Sequence, residues 1–118
     1  MLSYPQMPKR KREKVPTEVY TDGDGNRLVL RRELSKRTLQ KISSGPAHAA
    51  DTADDVWRRR YEMLFEHLAV SWEIAGLPLE DQAMLIGRFR MASPAEQEWV
   101  RQTIDEHLAL YIPGALES

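Results

Sequence analysis

The 118-residue chain contains no cysteine. Disulfide frameworks, thiolate metal sites and cysteine nucleophiles are therefore excluded, while the redox compartment stays open. No apolar run approaches the roughly 18 residues of a membrane span. Met1 to Pro8 leads into a basic cluster without an apolar segment, so no secretory leader is expected. There is no Gly-x-Ser-x-Gly elbow, and no serine stands visibly beside a histidine and an acid. Gly23 and Gly25 lead into a strand pattern and not into a helix start, which argues against a phosphate-cradling loop. The three histidines lack a His-x-x-x-His spacing: His67 and His107 each sit in Glu-His-Leu-Ala, and His48 falls in a linker. From these absences no enzyme activity, cofactor or metal is expected.

What is present is a division of charge. The formal net charge is −1, but it is the sum of two opposite halves. Residues 1–41 hold eleven Lys and Arg against five acids, a balance of +6; residues 42–118 hold six Arg against 13 acids, a balance of −7. Such asymmetry marks a basic arm or a docking surface, so the neutral total does not exclude a polyanionic partner.

The patterns predict an α+β, mostly α protein: a basic arm, a β-hairpin with a short helix, then three amphipathic helices. Residues 1–16 form an arm of Pro and charge with too little apolar surface to repay the entropy of ordering it. Residues 17–43 are expected as hairpin and short helix, 44–50 as linker, 51–112 as the helical domain and 113–118 as a tail. In the hairpin, Glu18-Val19-Tyr20-Thr21 and Arg27-Leu28-Val29-Leu30-Arg31 flank the Asp-Gly steps of Asp22–Asn26, which supply positive φ. Leu28 and Leu30 share a face by the period-2 rule, with Val19 or Thr21 opposite. Ser35 is the expected N-cap of the short helix, with Leu34 and Leu39 as a hydrophobic staple.

In the helical region, Asp51 or Thr52 is the expected cap of a long helix, with Asp54 and Asp55 in its first turn. Trp57, Tyr61, Leu64, Leu68 and Trp72 make its stripe, widened by Val56 and Phe65, until Gly76 and Pro78 end it. A second helix is expected near Leu79 to Met91. Ser93-Pro94-Ala95-Glu96 spells a capping box with Pro at the first helical position. Val100, Ile104, Leu108 and Tyr111 then recur on one face up to Pro113. Trp57, Trp72 and Trp99 are expected as core anchors.

Asp22, Asp24 and Asn26 fall at positions 1, 3 and 5 of an EF-hand loop, with Glu33 at 12. Position 6, which should be Gly, is Arg27, and no helix enters the loop, so a plain hairpin turn is expected. Arg58-Arg59-Arg60 spreads over about 200° of helix azimuth and reads as a solvated face, with Arg58 and Glu62 as an i,i+4 pair. The functional residues are expected elsewhere. Lys9, Arg10, Lys11, Arg12 and Lys14 form a polyanion- or partner-binding arm; five cations in six residues would give salt-sensitive binding to nucleic acid. Val19, Leu28 and Leu30 form a strand-edge interface able to pair with a partner strand. A basic arm on an acidic body also suits homo-oligomerisation.

The order of segments carries a resemblance. A basic arm precedes a hairpin ending Leu28-Val29-Leu30-Arg31-Arg32, then Leu34-Ser35-Lys36-Arg37-Thr38-Leu39. After the linker come Tyr61 to Trp72 and Gly76-Leu77-Pro78-Leu79. Over residues 18–110 this layout resembles the tail assembly chaperones of long-tailed, siphovirus-type actinobacterial bacteriophages. The resemblance implies a non-enzymatic protein acting in the bacterial host cytoplasm during virion morphogenesis, and in that family a longer frameshifted form is frequent. It would bind tail-tube and tape-measure proteins, keep them soluble and leave the finished tail. A virion component, such as a head–tail connector or capsid-associated subunit, shares the outline. A small regulatory protein binding nucleic acid through the arm is the third expectation.

Overall fold

The computed structural model describes residues 16–43 and 53–115. All of the basic arm but Pro16, the linker, the Asp51/Thr52 cap and the end of the tail lie outside them. Within them the chain is α+β and mostly α, with four helices and one four-stranded antiparallel sheet.

The Asp-Gly steps make the first hairpin. β1 (Thr17–Thr21) pairs with β2 (Arg27–Arg31), Val19 opposite Val29. Asp22 holds the turn: Oδ1 accepts from the N–H groups of Asp24 and Asn26, at 2.8 and 3.0 Å, and Oδ2 from the Asn26 amide at 3.0 Å. Both carboxylate oxygens thus serve the turn, as the Asp-Gly chemistry requires. Cross-strand partners share a face. Leu28 therefore lies beside Tyr20, and Leu30 beside Glu18, not beside Val19 or Thr21 as the sequence pattern suggested.

α1 (Lys36–Ser43) starts at Ser35, whose Oγ accepts from the N–H of Thr38 at 3.1 Å. α2 (Ala53–Leu68) carries the buried stripe Tyr61, Leu64, Phe65 and Leu68. It stops there, four residues short of the expected Trp72. Ala69–Ile74 is a strand, β3, which pairs with β2, and Leu77–Leu79 is a short β4. The last carbonyls of α2 are satisfied from outside the helix. Gln82 Nε2 donates to the Glu66 carbonyl at 2.7 Å, and Arg31 Nη1 to that of His67 at 3.1 Å. Gly76 does not end a helix; with Ala75 it makes a two-residue turn, both at positive φ (81° and 52°).

Because Leu79 is held in the sheet opposite Trp72, the next helix begins late. α3 (Gln82–Arg90) is capped by Asp81, whose carboxylate accepts from the Met84 N–H. α4 (Pro94–Tyr111) has the full capping box: the Glu96 N–H donates to Ser93 Oγ, and the Ser93 N–H to Glu96 Oε1.

The strand order is β1-β2-β3-β4. One face, bearing Leu28, Leu30 and Trp72, is covered by apolar residues from all four helices: Ile42, Leu64, Phe65, Leu68, Leu85, Phe89, Val100, Ile104 and Leu108. Phe65 stacks on Phe89 at 4.8 Å and meets Trp72 edge-on at 5.7 Å. Side chains of this size each contribute about 1.5–3 kcal/mol when fully buried. Trp72 is a core anchor as expected, and Trp99 packs against the core half-buried. Trp57 is not: it is half-exposed and stacks on Tyr61 at 5.5 Å.

Candidate functional site

Val19, Leu28 and Leu30, expected together at a strand edge, are separated by the sheet. β2 lies between β1 and β3, so Leu28 and Leu30 are fully buried core residues and present nothing to a partner. Their period-2 spacing marks a buried face equally well, and the strand that makes β2 interior is 40 residues away in sequence. Val19 lies on the outermost strand and is 55% exposed. Lys9, Arg10, Lys11, Arg12 and Lys14 lie outside the described residues and directly precede that strand in the chain.

Behind the edge strand sits a polar cluster that no sequence motif announced. His107 is fully buried on α4. Its Nε2 lies 2.7 Å from the carbonyl oxygen of Arg31, and its Nδ1 2.7 Å from the Tyr20 hydroxyl. A carbonyl only accepts, so Nε2 carries the proton, and Nδ1 accepts from the phenol. Burial lowers the His107 pKa, outweighing the Arg31 carbonyl bond that raises it. Burial likewise raises that of Tyr20. The neutral imidazole is therefore a clamp between α4, β1 and β2. Its one legible signal is position: His107 is seven residues after Val100, on the buried stripe of α4.

Outside the clamp, Tyr111 lies 5.1 Å from the His107 ring, and the Arg32 guanidinium sits 5.0 Å from the Tyr111 centroid. Arg32 also pairs with Glu18 at 3.0 Å, and that bond holds the Glu18 carboxyl below its usual range. Histidine, tyrosine and acid thus meet here, but the imidazole is sealed between two protein partners with no exposed atom. The arrangement fastens a helix under a sheet edge; it does not present a base to a substrate.

Three surface features remain. At the other end of β1, the Asp22–Asp24 turn and the first turn of α4 form a shallow cleft lined by Asp22, Asp24, Glu96 and Trp99. On the solvent side of α3, Met84 and the C-cap Met91 are 57% and 84% accessible, and Leu77 of β4, just before it in the chain, is exposed as well. Arg58 of the triple-Arg run bonds Asp55 at 2.8 Å, and Glu62 is taken by Arg90 of α3, so the expected Arg58–Glu62 pair is replaced by others. Among the described residues, no helix is long and apolar enough to cross a membrane, and no group of three His, Asp or Glu could hold a metal ion.

No protein-family model, curated protein or solved structure matches the chain.

Proposed function

We propose that this protein is a non-enzymatic assembly chaperone of a phage tail. It holds tail-tube and tape-measure subunits in the cytoplasm of the bacterial host while the virion is built. The layout of residues 18–110 supports the family, and the outer side of α3 supports the activity. Leu85 and Phe89 already fill the core, yet Met84 and Met91 stand on the solvent side with Leu77 nearby in sequence. A short helix that is apolar on both sides has a second surface to cover. Unbranched, polarizable methionines suit a surface that must adapt to an incompletely folded client.

Co-expression with tail-tube or tape-measure subunits tests the reading. The wild-type protein keeps its client soluble and co-purifies with it, whereas a Met84→Asp, Met91→Asp double variant stays folded and loses the client. Client solubility unchanged in the double variant would refute the assignment of this surface. Stoichiometric retention in purified virions would instead make the protein a structural component.

A further inference from the structure

The two outer edges of the sheet are built differently. The Arg32 N–H donates to the Pro16 carbonyl at 2.9 Å, and the Asp22 N–H to that of Asn26 at 3.0 Å. Antiparallel ladders alternate, so Glu18 and Tyr20 direct their backbone groups to β2. Those of Thr17, Val19 and Thr21 point outward. At the far edge, the two-residue turn makes Ile74–Leu77 a bonded pair, so Pro78 faces outward and has no N–H to offer. β4 is short and blunted. β1, Thr-Glu-Val-Tyr-Thr, has no Pro, Gly, Lys or bulge to protect it, and its one charged residue, Glu18, is paired with Arg32 of the same chain.

The occupant that fits this edge is the edge itself. We propose that β1 pairs antiparallel with β1 of a second copy across a two-fold axis at Val19, joining the two sheets into one. In that register Val19 faces Val19, and Thr17 faces Thr21. Every outward N–H then meets an outward carbonyl. Glu18 falls opposite Tyr20, so no like charges oppose each other, and each Glu18 keeps its own Arg32. Charge along the sequence favours the same arrangement. Antiparallel pairing lays Thr17, which follows the basic stretch Lys9–Lys14 in sequence, beside Thr21 and the acidic Asp22–Asp24 turn of the second copy. The interface is isologous, so it closes at two copies and does not propagate into a fibre. It uses the edge opposite to β4 and none of Leu77, Met84 or Met91, and so does not depend on the client surface proposed above.

The test is the mass of the full-length protein in solution, by sedimentation equilibrium, with two charge variants at the axis. Wild type is expected to be a dimer. Val19→Lys and Val19→Glu are each expected to be monomeric with unchanged circular dichroism, since each places like charges face to face. Mixed in equal amounts, they are expected to restore the dimer, which only a register centred on residue 19 allows. Wild type that stays monomeric at millimolar concentration overturns the proposal, and slow amide exchange at Val19 in that monomer would assign the edge to residues 1–15 of the same chain. A Val19→Lys protein that remains dimeric places the interface elsewhere and overturns it equally. Should both charge variants fail to fold, Thr21→Pro removes one outward N–H alone, and an undiminished dimer then counts against the proposal.

Discussion

The Tyr20 hydroxyl donates to Nδ1 of His107 at 2.7 Å, tying the edge strand to a helix 87 positions further along the chain. Among the described residues that nitrogen has no other hydrogen-bond partner, so Tyr20→Phe leaves a buried acceptor unpaired. Such a loss costs about 1–3 kcal/mol. Urea denaturation is expected to show a lower midpoint with an unchanged slope, since no surface changes compactness.

Acid should weaken the same clamp. The folded His107 pKa lies below its ordinary 6.5 because burial disfavours the charged ring. Between the two values the unfolded chain binds a proton that the folded protein does not, so stability falls as pH drops through 6.5 toward the folded pKa. Glu18 and Glu96, held below the usual carboxylate range by Arg32 and Arg88, add their losses only below about pH 4.5. Chemical denaturation at mildly acidic and neutral pH is expected to show this difference, and His107→Gln is expected to abolish it while lowering stability at both.

Ala75 occupies a left-handed position, φ 52°, in the turn before Gly76. That conformation disfavours a Cβ by about 1–2 kcal/mol, with Gly and Asn the tolerant residues. Its N–H donates to Asn26 Oδ1 at 3.0 Å, a backbone bond that any non-proline residue keeps. Ala75→Gly and Ala75→Asn should therefore raise stability by about 0.5–1 kcal/mol, read as a higher thermal midpoint. Gly76→Ala, at φ 81°, should lower it.

Leu30 and Val19 should separate core from edge. Leu30→Ala empties a fully buried site and should cost about 2–5 kcal/mol. Val19→Thr preserves branching on an exposed strand and should stay within about 0.5 kcal/mol in denaturation experiments. Similar effects at both positions would contradict an interior β2.

Local signals were legible wherever the chain marks its own turns. The Asp-Gly steps of Asp22–Asn26 and the Ser93–Glu96 capping box act within a few residues, and both elements stand where the sequence placed them. β3 was hidden for a physical reason. Trp72 is buried and stands four residues after Leu68, as a helical stripe would have it. Val70 is a bulge opposite β2, which breaks the alternation a strand should display. What makes Ala69–Ile74 a strand is its pairing with Arg27, Leu28, Val29 and Leu30 of β2, far upstream, and periodicity carries no information about that. Likewise His107 reads as one residue of an amphipathic helix until β1 and β2 supply its two partners. The arm residues Lys9 to Lys14 lie outside the described structure, and their role rests on charge alone.

The position of β3 also sets an order of events during synthesis. Leu28 and Leu30 leave the ribosome some 40 residues before Ala69 and Trp72, the strand neighbours opposite them. Until then β2 is itself an edge, and its leucines have no covering layer. A nascent chain that ends before Ile74 therefore exposes a hairpin with two open sides. Among the described residues the finished sheet has β1 and the short, Pro-blunted β4 as its edges, so the step that seals β2 is also the step that leaves β1 as the one unblunted edge.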